Sequence, residues 1–318
     1  MTHNRPARQL DRRQFVQAAG TASLVAGAGL VNFASAAPTR TSAAETIVNE
    51  LHSTLSDEQK KTICFGFDDQ KRSRVNANWH ITKPEIDDFF TKAQVDLVHR
   101  VVKAVTSEDG YDRLKKQTLD DAGGIGAYSV ALFGSQEGRG LQFVLTGRHL
   151  TLRADGNAVK NMAFGGPIVY GHGEDEVKEN LYFYQTQKAN EVFEALDAGQ
   201  RKKALLQKAP GETQVALKGS KSKFPGIAAA DLSQDQKELF ESVIKVILSP
   251  YRQEDVDEVA QVLKKTGGLD KLHLAFYQQG DLEGDNVWDI WRVEGPGMVC
   301  HFRGAPHVHA YINIGIKS

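Results

Sequence analysis

The chain has little cysteine, little net charge and, beyond residue 37, no long apolar run. Its 318 residues contain two cysteines, Cys64 and Cys300. That is too few for a disulfide scaffold; they either form one bridge in an oxidising compartment or stand as two buried thiols. The formal net charge is −1, and because the first residues are basic the remainder is mildly acidic. This balance argues against nucleic acid or an anionic membrane surface as partner. After Ala37 no stretch reaches the roughly 20 apolar residues of a spanning helix. A G-x-S-x-G elbow, an H-E-x-x-H helix, a P-loop and a C-x-x-C pair are also missing. The Gly-Gly pairs lack the strand-to-helix setting of a dinucleotide fingerprint, so no local motif fixes a reaction.

What is present begins with Asp11-Arg12-Arg13-Gln14-Phe15, followed by a mild apolar stretch from Val16 to Phe33 and by Ala34-Ser35-Ala36-Ala37. A paired arginine, an apolar run broken by Gly20, Gly27 and Gly29, and an A-x-A site predict a twin-arginine export signal over residues 1–36, cut after Ala36. A retained anchor is the alternative. The signal implies recognition by the twin-arginine translocation machinery, a periplasmic or extracellular location and no membrane anchor after cleavage. That route carries proteins already folded, often with a cofactor in place.

The chain matches itself at an offset of about 142 residues. Leu51 to Lys61 faces Phe193 to Lys203, each predicting a helix, a capped turn and a second short helix. Leu97, Val98, Val101, Val102 and Val105 match Leu239, Phe240, Val243, Ile244 and Ile247 at helical spacing, behind Thr91 and Ser233 as N-caps. Gly123-Gly124-Ile125 matches Gly267-Gly268-Leu269, and a strand-rich stretch follows each. The expected fold is α+β: two tandem related halves, 42–187 and 188–318, each with helices followed by an antiparallel meander, packed as one pseudo-two-fold unit. The stretch from Lys208 to Lys223, rich in Gly, Lys, Ser and Thr, reads as a flexible surface excursion away from any site.

The sharpest local chemistry is Pro306-His307-Val308-His309. Residues two apart on a strand share a face, so both imidazoles reach one point, with Tyr311 beside them and Val308, Ala310 and Ile312 opposite. Neutral imidazole suits Zn, Cu, Fe or Ni. Further ligands must come from elsewhere, and His149 and His172 lead, with His80 and His301 behind them. If Pro167 and Pro306 are equivalent, His172 falls on the face of His307 and His309. Cys300 and His301, as neighbours on a strand, face opposite ways. Asp68, Asp69, Glu174 and Asp175 are candidate general bases.

These residues carry a resemblance. Phe67-Asp68-Asp69 with Arg72, Asn78-Trp79-His80, Gly147-Arg148-His149-Leu150, Val293-Glu294-Gly295-Pro296 and His307-Val308-His309 resemble the motifs of domain of unknown function 3500, a family of exported bacterial proteins. The likeness spans nearly all of the mature chain. The sequence departs from the family pattern at Ile81, at Arg148, which stands where the family has a histidine, and at Pro306. The resemblance implies no reaction; it supports a site built on His149, His307 and His309.

Two functions fit. In the first, His149, His307 and His309, joined by His172, hold a divalent transition metal, with zinc ahead of copper or iron, and keep one position open for hydrolysis of a small-molecule substrate. In the second, the protein is a non-catalytic exported metal-binding or ligand-binding protein.

Overall fold

The computed structural model describes residues 37–282 and 284–317; the segment 1–36, with the expected export signal, lies outside them. Helix α1 (Ala43–Thr54) and the short α2 (Asp57–Ile63) lead into a two-residue strand, β1 (Cys64–Phe65). After an irregular stretch come α3 (Ile86–Phe89), α4 (Lys92–Val105) and α5 (Glu108–Ala122), then strands β2 (Ser129–Ser135), β3 (Gly140–Gly147), β4 (Leu150–Ala154) and β5 (Ile168–His172). The chain continues through α6 (Phe183–Ala195), α7 (Ala198–Ala204), β6 (Leu205–Leu206), a second irregular stretch and β7 (Ile227–Ala228). Helices α8 (Gln234–Leu248) and α9 (Gln253–Lys265) and strands β8 (His273–Tyr277), β9 (Ile290–Gly295), β10 (Met298–Arg303) and β11 (Val308–Ile314) complete it. Residues 187 and 188, the expected junction between halves, lie within α6.

The α+β expectation holds at this level. The helices begin where the capping chemistry predicts: Ser56, Thr91, Asp197 and Ser233 each accept a hydrogen bond from the third residue of their helix, which is Gln every time and bonds back to the cap backbone. The apolar stripe Leu97, Val98, Val101, Val102, Val105 of α4 is buried, as is Phe240, Val243, Ile244, Ile247 of α8. The two Gln pairs also join helices. Gln59 and Gln94 bond each other across α2 and α4, and Gln200 and Gln236 do so across α7 and α8.

All the strands among the described residues belong to one mixed sheet in the order β1-β2-β3-β4-β5-β11-β10-β9-β8-β6, with β7 beside β8. The pairs β1–β2 and β6–β8 are parallel and the rest antiparallel. Both outer strands are only two residues long, which leaves little unpaired backbone for another chain to join. One face is covered by the helices and carries the main core, from Val130 and Leu132 through Ile168 and Tyr170 to Cys300, Phe302, Val308 and Ala310. The other face is covered by the two irregular stretches. Trp79 and Ile81 pack on Ala131, Phe133 and Val144, and Val75, Ala77, Val215 and Leu217 pack on Val169, Val299 and Tyr311. Strand β3 is therefore buried on both faces.

Cys64 and Cys300 are both free thiols. They stand on β1 and β10, six strand steps apart in the sheet order, a separation of roughly 29 Å at the usual strand spacing. A disulfide needs Cα atoms within about 7 Å, so the sheet keeps them from pairing. Among the described residues no helix is long and apolar enough to cross a membrane.

Candidate functional site

The site forms where β5 meets β11, at the end of the sheet that carries the β3–β4 turn. Gly147 pairs with Leu150, so Arg148 and His149 are the two turn residues. His149 adopts a left-handed φ of 55°, an uncommon conformation for a residue with a Cβ. It is held there from several sides. Its N–H donates to Ala77 O at 2.5 Å, its carbonyl accepts from Gln117 Nε2 at 3.3 Å, and its Nδ1 lies 2.8 Å from Asp121 Oδ2 at the end of α5. Strain of this kind persists where the surroundings over-determine it, and such places cluster at functional sites. Gly171 on β5 makes the space. A Cβ there would sit 2.0 Å from Val308 O and 3.4 Å from the His149 Cβ.

His309 pairs with Gly171 across β5–β11 and with Arg303 across β10–β11, so it projects from the face away from the helices. His307 precedes the strand. The ring of His149 lies 5.6 Å from that of His307 and 4.9 Å from that of His309, centroid to centroid. Each of the three offers a ligand atom within 4.8 Å of those of the others. Ligands about 2 Å from a common ion require this closeness. Within β11 the alternation does what its spacing predicts: Val308, Ala310 and Ile312 enter the core, and Tyr311 stays on the side of His309, while His307 reaches the group from the bend ahead of the strand.

Two carboxylates orient the imidazoles. Asp121 holds His149 Nδ1, and Glu212 Oε2 lies 2.9 Å from His309 Nδ1. A carboxylate on one ring nitrogen fixes the tautomer and aims the other nitrogen, as it does around metal-bound histidines. Burial lowers the affinity of His307 for a proton, reinforced by the nearby His149 and Arg148. Burial does the same to His309, opposed by the hydrogen bond that its ring donates to Glu212. Both rings are therefore held toward the neutral form that a metal needs. Burial alone would push the Glu212 carboxyl up, but the His309 hydrogen bond and the Arg303 charge outweigh it and hold it at about 2. Arg303 completes the group, with Nη1 3.1 Å from Glu212 and Nη2 at 2.8 and 3.0 Å from the two nitrogens of His309.

The structure departs from the sequence expectation at two places. The excursion 208–223, expected to stand apart, supplies Glu212. His172 does not join the trio. Register pairs Val308 with His172 and His309 with Gly171, so His172 shares the face of Val308 and points to the helix side. The assumed equivalence of Pro167 and Pro306 gave it the wrong parity. It forms a separate group with Asp120 and Glu174, whose ligand atoms also lie within 4.8 Å of one another. There Nδ1 accepts the Leu181 N–H at 3.3 Å, which leaves the proton on Nε2, facing Asp120 at 3.1 Å. Before Nε2 could take a metal, the ring would have to give up that proton or the Leu181 contact. His80 is exposed and outside both groups. His301 lies on the face of His309 with Nδ1 unpartnered among the described residues, and burial pushes it down to about 4. Cys300 faces the core, as the alternation predicts. Among the candidate bases, Asp69 caps a turn through Lys71 N–H and Glu174 turns to His172. Asp121 and Glu212 were the residues missed; no local spacing connects either to a histidine.

No curated protein and no solved structure matches the chain. A family model described as protein of unknown function (DUF3500) matches residues 37–312. With 276 of its 318 residues inside that match, the chain belongs to the DUF3500 family.

Proposed function

We propose that His149, His307 and His309 bind one divalent transition metal, zinc ahead of copper or iron, and that the protein is a metal-dependent hydrolase acting on a small molecule after twin-arginine export. The observation that carries the reading is the meeting of three imidazoles within 4.8 Å, two of them held by carboxylates at Nδ1. Three protein ligands leave a tetrahedral ion one open position, and His307 is only half-buried, so that position has a route to solvent. A metal bound there would supply Lewis acidity to a substrate oxygen. Elemental analysis of full-length protein purified from its exported compartment tests the reading. About one equivalent of metal, lost in His149→Ala and His307→Ala, is the expected result; metal far below one equivalent and indifferent to both changes rejects it.

One observation favours a second reading, a non-catalytic binding protein. Arg303 already lies against both nitrogens of His309 and beside Glu212, so the group is charge-balanced without an ion. Hydrolysis of activated esters that disappears with the metal would decide for the enzyme. Replacing Arg12 and Arg13 with lysine tests the export route, and undiminished export would reject it.

We infer as well that the chain arose by tandem duplication. The sheet order reads outward from β5–β11 through corresponding strands on both sides, each side ending in a parallel two-residue strand. The four capping boxes and two Gln pairs recur at the offset of the sequence match. The α4–α5 turn also meets the α8–α9 turn, where Thr106 bridges Tyr251. An experimental structure in which the two Gln pairs fail to superpose together with their strands would overturn the inference.

A further inference from the structure

Beneath the excursion, on the face of the sheet away from the helices, lies a cavity of about 670 Å³. Its floor is Tyr277 of β8 and Arg292 and Glu294 of β9. Its roof is the excursion itself, fixed to the sheet by Arg292 Nη2 donating to Gln214 O at 2.5 Å and by Asn313 Nδ2 donating to Val215 O at 2.9 Å. Lys208, Lys218 and Lys317 stand around it, against the single acid Glu294. Glu294 is already committed to Lys218 at 2.8 Å and to Arg292 Nε at 3.2 Å. Four cations facing one carboxylate leave the cavity positive. Leu206, Leu217, Pro210 and Pro225 give it an apolar side.

Glu294 Oε1 has no partner beyond its ion pair with Lys218, and two further groups in the floor have unmet hydrogen-bonding capacity. Arg292 and Tyr277 are 2% and 1% exposed, and Arg292 Nη1 and the Tyr277 hydroxyl meet no partner among the described residues. Leaving such groups buried and unpaired is costly, and a structural role would have satisfied them or replaced them with apolar side chains. A cavity of this size, mostly apolar with a few convergent polar groups, is the usual form of a small-molecule site. We propose that it binds a small amphipathic organic anion, with the acid group taken by Lys218, Lys317 and Arg292, a polar group by the Tyr277 hydroxyl, and the apolar body against Leu206 and Leu217. The site is separate from the histidine cluster and does not depend on a metal there.

Anilinonaphthalene sulfonate, an aromatic organic anion, reports on the site by fluorescence titration of the intact folded chain. One saturable site is expected, with octanoate displacing the probe and octanol failing to. Lys218→Gln combined with Lys317→Gln, both at exposed positions, should weaken octanoate about tenfold, the size expected for charge-assisted hydrogen bonds. Tyr277→Phe should weaken it severalfold. His307→Ala should leave it unchanged, which separates this site from the metal reading. The proposal is overturned by absent saturation, by octanol competing as well as octanoate, by full affinity in the double lysine variant, or by loss of binding in His307→Ala.

Discussion

At the scale of single residues, the carboxylates matter as much as the histidines. If Asp121 fixes the tautomer of His149, Asp121→Asn should weaken metal affinity by about 10–100-fold while the circular dichroism spectrum stays unchanged. An unchanged affinity by competition with a chelating dye would show that Asp121 only braces the turn. A second carboxyl is expected to govern pH dependence. Glu258 on α9 is 4% exposed, and its Oε2 has no partner among the described residues. Burial pushes its pKa from 4.5 up to about 8, helped by Asp155 and Asp255 and opposed by Arg252 and Lys265. The folded state thus prefers the protonated acid. Its contribution to stability is complete below about pH 4.5 and is lost as pH rises through about 8. Asp155, raised to about 6 chiefly by burial, acts in the same direction. Glu258→Gln should make the protein more stable at pH 9 by about 1–3 kcal/mol, the cost of an unsatisfied buried group, with little change near pH 5. Urea denaturation at both pH values checks this, and an equal pH slope in the variant would refute it.

At the scale of elements, the same local rule has opposite outcomes depending on what lies across from it. Gly110 sits in the first turn of α5, where Ala would ordinarily stabilise a helix by up to about 1 kcal/mol. Here a Cβ would lie 2.0 Å from the Pro250 carbonyl oxygen, where the α4–α5 turn meets the α8–α9 turn through Ser107 N–H to Pro250 O and Arg252 N–H to Val105 O. Backbone cannot yield as a side chain does, so Gly110→Ala should destabilise by about 1–3 kcal/mol. A rise in melting temperature would contradict this. Much at this scale was legible in the sequence. Thr91 and Ser233 with Gln three residues on mark their helices because capping is a local hydrogen bond. The alternation of Val308, His309, Ala310 and Tyr311 puts His309 and Tyr311 on one side because side-chain parity is local too. The hydrogen bonds of His149 Nδ1 to Asp121, 28 residues away, and of His309 Nδ1 to Glu212, 97 away, were not legible. His172 shows the limit most plainly: its parity within β5 was readable, but the face that parity meant depended on register with β11.

At the scale of the whole molecule, the first and second parts of the chain share one sheet through β5–β11. Residues 37–182 expressed alone would carry β5 as a bare hydrophobic edge and should oligomerise or aggregate. The same fragment would hold His149 without His307 and His309. Co-expression with residues 183–317 should restore a soluble pair of single-chain size, and metal binding should return only with the pair. Size-exclusion chromatography with metal analysis tests both points. A monomeric, metal-loaded first fragment would count against the shared sheet as the basis of the site.

The α+β class, the helix starts, the buried stripes and the shared face of His309 and Tyr311 are written in short stretches of chain, because each depends on hydrogen bonds and periodicities a few residues long. Tertiary structure alone decided that Cys64 and Cys300 stay apart, that His172 turns to the helix side, and that Asp121 and Glu212 reach the histidines. Those facts follow from strand order and register, which are set by packing over the whole sheet and leave no trace in any short stretch of chain.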